Sequence, residues 1–160
     1  PYPGESLEAG RERRKRPRAQ AREDGIRRSQ RLLLTWLIED ESLFGKIEGI
    51  LTPDDFTEEL YRQVAREVFE GHRSGTINPA DILSRYINDE DQYKEVAALF
   101  NASLGDALDS AEQKKAFSDT VLKVKKYSLD AASRNAKDIA QLQEIIKQQA
   151  ALKTLRIPMD

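Results

Sequence analysis

The stretch Ile139–Leu155, "IAQLQEIIKQQAALKTL", decides how the last third of this 160-residue chain is built. At about 100° of rotation per residue, Ile139, Leu142, Ile145, Ile146, Ala150 and Leu152 fall within a sector of roughly 160°. Gln141, Gln143, Glu144, Lys147 and Gln148 lie outside it. The spacing predicts an amphipathic helix. Its apolar sector also receives Gln149 and Lys153, residue types that a core contained within one chain seldom places in its seam. The face is therefore expected to be partly buried against its own chain and partly open to another molecule. Ile139, Leu142, Ile145, Ile146, Gln149, Leu152, Lys153 and Leu155 are the candidate partner-facing residues, and the residues beyond them are expected to fray.

Upstream of this helix, Ser110 and Gln113 have the spacing of a capping box, and helix signals continue without Gly or Pro from Ala111. Phe117, Val121, Val124, Ala131 and Ala132 form one face. The apolar phase is reset after "SRNAKD", where Asn135 or Asp138 is able to cap a new helix. A long helix of roughly 36 Å at 1.5 Å per residue, returning as a second helix, is the expected arrangement. A chain that stays straight through this break would instead pair with a neighbour, so domain-swapped self-association is a further expectation.

Nearer the N-terminus, "SQRLLLTWLIED" spaces Leu32, Leu33, Trp36 and Leu37 as one helical face, with Ser29 as the expected N-cap. "SLFGKIEGIL" is a short helix ending near Gly49. In "LTPDDF", Thr52 caps, Pro53 suits the first helical position, and Asp54 and Asp55 complement the positive end of the helix dipole. "TEELYRQVAREVFEG" then carries Leu60, Tyr61, Val64, Val68 and Phe69, with Gly71 as its expected stop. "NPADILSRYI" repeats the Asn-cap and Pro-first device with Ile82, Leu83, Tyr86 and Ile87 apolar. "QYKEVAALF" supplies Tyr93, Val96, Ala97 and Phe100, and "NASLGDALD" is a connector. No β-branched alternation occurs, so the chain is predicted all-α: a compact helical bundle over 29–112, then over 113–160 a long helix and a C-terminal helical hairpin.

Charge is distributed unevenly. Net charge is −2, yet residues 11–31 hold ten Arg or Lys against three Asp or Glu. Residues 1–28 carry three prolines, three glycines and few apolar side chains, which predicts a flexible basic linker. Within "RERRKRPR", Arg11, Arg13, Arg14, Lys15, Arg16 and Arg18 are candidate phosphate contacts. Such binding would be weak and independent of base sequence, because no aromatic residues interleave for stacking.

The lack of cysteine excludes disulfides, thiol catalysis and Cys-based zinc sites and is compatible with a cytoplasmic protein. No run approaches the length of a membrane span. The first residue is Pro rather than Met, which fits a piece of a longer protein or a processed chain. His72 is the only histidine, so neither a Ser-His-Asp arrangement built on a second one nor a His-pair metal site is available, and it is expected in the loop after Gly71. The pairs Asp54-Asp55 and "DED" at Asp89–Asp91 are read as helix caps rather than Mg²⁺ ligands. Tyr61, Tyr86, Tyr93 and Tyr127 are expected to pack with their hydroxyls at the rim. No catalytic, cofactor-binding or metal site is expected.

The pieces and their order are similar to the C-terminal helicase-binding domain of bacterial DNA primase. "RLLLTWLIEDESLFGKI", "LTPDDFTEELYRQVAREVFEGHRSG", "NPADILSRY" and a terminal helical hairpin carry this resemblance from about Gln30 to Ile157. It implies a bundle that modulates the helicase and a hairpin that docks on the N-terminal collar of the hexameric replicative helicase. The basic stretch would be the tether to the primase polymerase domain. The zinc-ribbon cysteines and polymerase carboxylates of that family have no counterparts here, so the resemblance implies no catalysis for this stretch. Family hairpins often turn at Gly-Asp, where this chain has Ala136-Lys137-Asp138, so either a tight turn or a kink is compatible with it. The nearest competing resemblance is the helicase collar domain itself, which shares the bundle and an "L-P-x-D-F" helix start; a non-specific DNA-binding module is the other alternative.

Overall fold

The computed structural model describes the backbone of residues 3–102 and 110–159, with side chains described from Gln20 onward. Among these residues the chain is all-α. Its helices are α1 (Pro3–Glu39), α2 (Phe44–Ile47), α3 (Glu59–Arg73), α4 (Pro79–Ser84), α5 (Glu90–Asn101), α6 (Ala111–Arg134) and α7 (Ile139–Leu152). Short 3₁₀ turns at Glu41–Leu43 and Pro53–Asp55 join the first of them. The connector "NASLGDALD" falls largely outside the described residues.

The N-terminal half of α1 departs from the linker expected over 1–28. One helix runs from Pro3 to Glu39, and Ser29 lies in its interior, donating its hydroxyl to the Ile26 carbonyl at 2.9 Å rather than capping. The linker expectation rests on the prolines, glycines and few apolar side chains of this segment, but most of its other residues are Arg, Glu, Ala and Gln, which are strong helix formers. Once Leu33, Leu34, Trp36 and Leu37 are packed, extending the helix backwards needs no new nucleus. The arm is further tied down at Arg27, whose guanidinium meets Glu95 at 3.3 Å and Glu58 at 4.0 Å.

The C-terminal half of α1 is the central element, packed on α3, α5 and α6. Leu33, Leu34 and Leu37 meet Phe56, Val64, Val68, Val96, Leu99, Phe117, Val121 and Val124 in one core. The Trp36 ring abuts Phe117 edge-on at 5.6 Å. Leu32, expected on the buried face, is only half-buried, and Leu34 takes its place.

Buried Gln30 holds the start of α3. Its amide nitrogen donates to the Thr57 hydroxyl at 2.7 Å, and its carbonyl accepts from the Glu58 N–H at 3.1 Å, satisfying a backbone donor left open at the helix start.

The "LTPDDF" signal starts a 3₁₀ turn rather than α3 itself. The Thr52 N–H donates to Asp55 Oδ2 at 2.8 Å, after which Phe56 returns to extended backbone and α3 begins at Glu59. Gly71 does not stop α3, which continues to Arg73 before Gly75 turns the chain at φ +135°. Gly71 permits a close approach, since a Cβ there would lie 3.3 Å from the Ile77 Cα. His72 consequently sits in the last turn of α3 rather than in a loop. Its ring stacks on Phe44 at 4.1 Å, and its Nδ1 lies 3.0 Å from Glu41 Oε1.

Asn78, Asp89, Ser110 and Asp138 cap α4, α5, α6 and α7, each accepting a backbone N–H from the first turn. Asp89 therefore acts as a cap, as the sequence indicates.

Candidate functional site: the α6–α7 hairpin surface

Helix α6 belongs to two environments. Its first half sends Phe117, Val121 and Val124 into the bundle core, whereas Leu129 is buried apart from that core. After Arg134 the Asn135 N–H closes on the carbonyls of Ala131 and Ala132, both at 3.2 Å, and Asp138 receives the Gln141 N–H at 2.7 Å. Four residues thus reverse the chain without glycine. The turn is tight, and α7 runs back along α6, its main packing partner.

The 160° apolar sector of α7 divides between two surroundings. Ile145 is 7% exposed, with Leu142, Gln149 and Leu152 half-buried beside it. Ile139 at 74% and Ile146 at 53% lie on the solvent side, together with exposed Ala150 and Lys153. These four residues lie within about 40° of Ile139 on the helical wheel, so they form one narrow stripe. The Gln149 amide donates to Asp130 Oδ1 at 3.2 Å, and Lys126 Nζ holds the other oxygen of that carboxylate at 3.0 Å. Gln149, one of the candidate partner-facing residues, is thereby also a polar member of the intramolecular contact.

A groove of about 540 Å³ opens along the hairpin, with Leu122 and Leu152 among its apolar walls and Asp119, Lys123, Lys126 and Lys153 at its edges. Beyond α7 the expected fraying does not occur. Leu155 is half-buried, Ile157 is buried in the bundle core and Met159 packs on it. The tail follows the first turns of α6, where it lines a second groove with Lys114, Lys115 and Leu122. Ile157 belongs to the site's foundation but was invisible to a periodicity argument, because it lies outside any helix.

A second surface lies where α1 crosses α3 and α5. Arg27, Arg28 and Arg31 line a groove of about 330 Å³ with Asp24, Tyr61 and Glu95. The side chains from Arg11 to Arg18 lie outside the described side chains.

The titratable groups that burial perturbs are structural. Tyr61 and Tyr86 are 2% exposed rather than placed at the rim, and they donate to Glu95 at 2.5 Å and to Glu67 at 3.1 Å. Burial, followed by the adjoining carboxylate, pushes both phenols above their usual range. Burial likewise raises Glu67, against the opposing pull of Tyr86 and Arg85. The His72 hydrogen bond lowers Glu41. Tyr93, by contrast, is partly exposed, and the Tyr127 ring lies 5.5 Å from Lys126 Nζ. Among the described residues no three His, Asp or Glu side chains converge on a common point, and no helix is long and apolar enough to cross a membrane.

No family model, curated protein or solved structure matches the chain.

Proposed function

We propose that this chain is a protein-docking domain of the kind found at the C-terminus of bacterial DNA primase, with the α6–α7 hairpin as its contact with the N-terminal collar of the hexameric replicative helicase. Docking there would couple primer synthesis to unwinding and let the bundle modulate the helicase. The observation that carries this reading is the divided face of α7. Ile145 secures the helix to α6, while Ile139 and Ile146 remain exposed one heptad apart on a well-capped helix. An amphipathic helix with such a stripe suits a helix-in-groove or helix-on-helix contact. The resemblance in the order of the sequence motifs supplies the choice of partner.

The test is size-exclusion chromatography with light scattering, on the chain alone and with the cognate helicase. Ile146→Glu combined with Ile139→Glu should abolish co-elution and leave the thermal transition of the bundle in place. Retained binding would refute the assignment of this face. Self-assembly of the chain into a collar-like ring, without any helicase, would favour the helicase collar domain instead.

A subsidiary reading is weak, non-specific nucleic-acid binding. It is favoured by the continuity of α1 through the basic arm and by the exposed guanidinium groups of Arg28 and Arg31 on the same helix. Association with duplex DNA should then fall steeply with salt. Removing residues 1–19 together with Arg28→Gln and Arg31→Gln should abolish it, because the remaining body is acidic.

A further inference from the structure

We infer that Asp55 is a positioning residue that fixes the angle of the α6–α7 hairpin on the bundle. Asp55 is 7% exposed and shares its carboxylate between two elements. Oδ2 accepts the Thr52 N–H at 2.8 Å and so caps the start of the 3₁₀ turn of the bundle. Oδ1 accepts from Lys125 Nζ at 3.1 Å and from the Ser128 hydroxyl at 2.7 Å, both on α6. The position of these two residues along α6 gives the contact its role. Val124 is the last α6 side chain in the bundle core, and Leu129 is buried apart from it. Lys125 and Ser128 lie at this handover, so the polar contact secures α6 where its apolar anchorage in the core ends.

The chemistry suits a lock better than a hinge lubricated by apolar contact. Apolar side chains slide past one another with little directional penalty, whereas a buried carboxylate tolerates only arrangements that keep its partners. The Lys125 side chain is 21% exposed and that of Asp55 10%, so breaking the contact leaves a largely desolvated charge unpaired. Two donors from one helix, three residues apart, add to the restraint on rotation about the α6 axis that Phe117, Val121 and Val124 impose from the core. Since α7 packs mainly on α6, any rotation of α6 at this point moves the Ile139–Ile146 stripe with it.

The structural claim stands on these contacts alone; its consequence for docking rests on the function proposed above. The cysteine-free chain accepts a pair of spin labels at exposed Gln63 on α3 and exposed Gln148 on α7. The unsubstituted background should give one narrow inter-label distance. Asp55→Ala, and independently Lys125→Met with Ser128→Ala, should replace it with a broad or two-component distribution at unchanged helix content. If the Asp55 variant does not fold, the α6 pair still decides the question, because Asp55 then keeps its contact within the bundle. A distribution as narrow as the background in the folded variants would overturn the inference. Helicase binding measured on the same samples should weaken about tenfold if the docking-competent orientation falls to about a tenth of the population. Broadened distances with unaltered binding would retain the lock and refute the docking face.

Discussion

Adjacent residues Ile145 and Ile146 should respond unequally to substitution. Removing the three outer carbons of a buried isoleucine forfeits about 0.8 kcal/mol each, or about 2.4 kcal/mol, before any cavity term. Ile145 keeps only 7% of its surface exposed, so Ile145→Ala should cost about 2–3 kcal/mol, at the lower end of core truncations because the two-helix contact collapses easily. Ile146 is 53% exposed, so Ile146→Ala should cost about 1 kcal/mol or less. For a chain of this size 1 kcal/mol moves Tm by about 2–4 °C, giving a drop of about 4–12 °C for the first variant and at most about 4 °C for the second. Circular dichroism at 222 nm reads the global transition. Amide exchange in α7 reads hairpin opening, which need not coincide with it because α7 packs mainly on α6. Equal losses in the two variants, or a larger loss at Ile146, would refute the division of the helix face.

Ending the chain at Leu155 removes buried Ile157 together with Met159, and should destabilise the bundle by about 2–4 kcal/mol in urea denaturation. Unfolded Tyr61 and Tyr86 titrate near 10, and their folded values are raised; the stability they contribute is therefore complete below about pH 10 and lost as pH rises through the folded values. Phenolate absorbance at these sites should appear only together with loss of helix, and Tyr61→Phe/Tyr86→Phe should flatten the alkaline fall in stability. Glu41 is lowered, so its contribution is present above the usual carboxylate range and fades as pH falls through the folded value; Glu41→Gln should reduce the acid sensitivity of the α2–α3 contact, read by amide exchange. Ser110→Ala removes the hydroxyl that accepts the Gln113 N–H at 3.1 Å and should cost about 1 kcal/mol by the same denaturation measurement.

Sequence by itself determined the helical class, the order of the elements from Ser29 onward and several of the helix stops and starts. These are local properties: Pro53 and Pro79 at element starts, Asn78, Asp89, Ser110 and Asp138 as caps, and apolar residues at helical spacing all act within one or two turns. The same local reasoning marked Ile139–Leu152 as a helix with a face too wide for one seam. It did not separate Ile145 from Ile146, because both lie in the apolar sector and only the position of α6 decides which is covered.

Tertiary structure decided the remaining features, each depending on residues far apart in the chain. Gln30 looks like an ordinary surface residue until α3 begins beside it, 28 positions away. His72 lies in the last turn of α3, and its stack on Phe44 and its contact with Glu41, 31 positions earlier, are long-range features no local pattern encodes. Asp55 reads as a cap in sequence, and it is a cap. Its second role depends on Lys125 and Ser128, 70 and 73 residues further on, and no local pattern encodes a pairing at that separation. Helix propensity and capping are decided within a few residues, whereas burial and partner choice depend on which surfaces meet after the chain has folded.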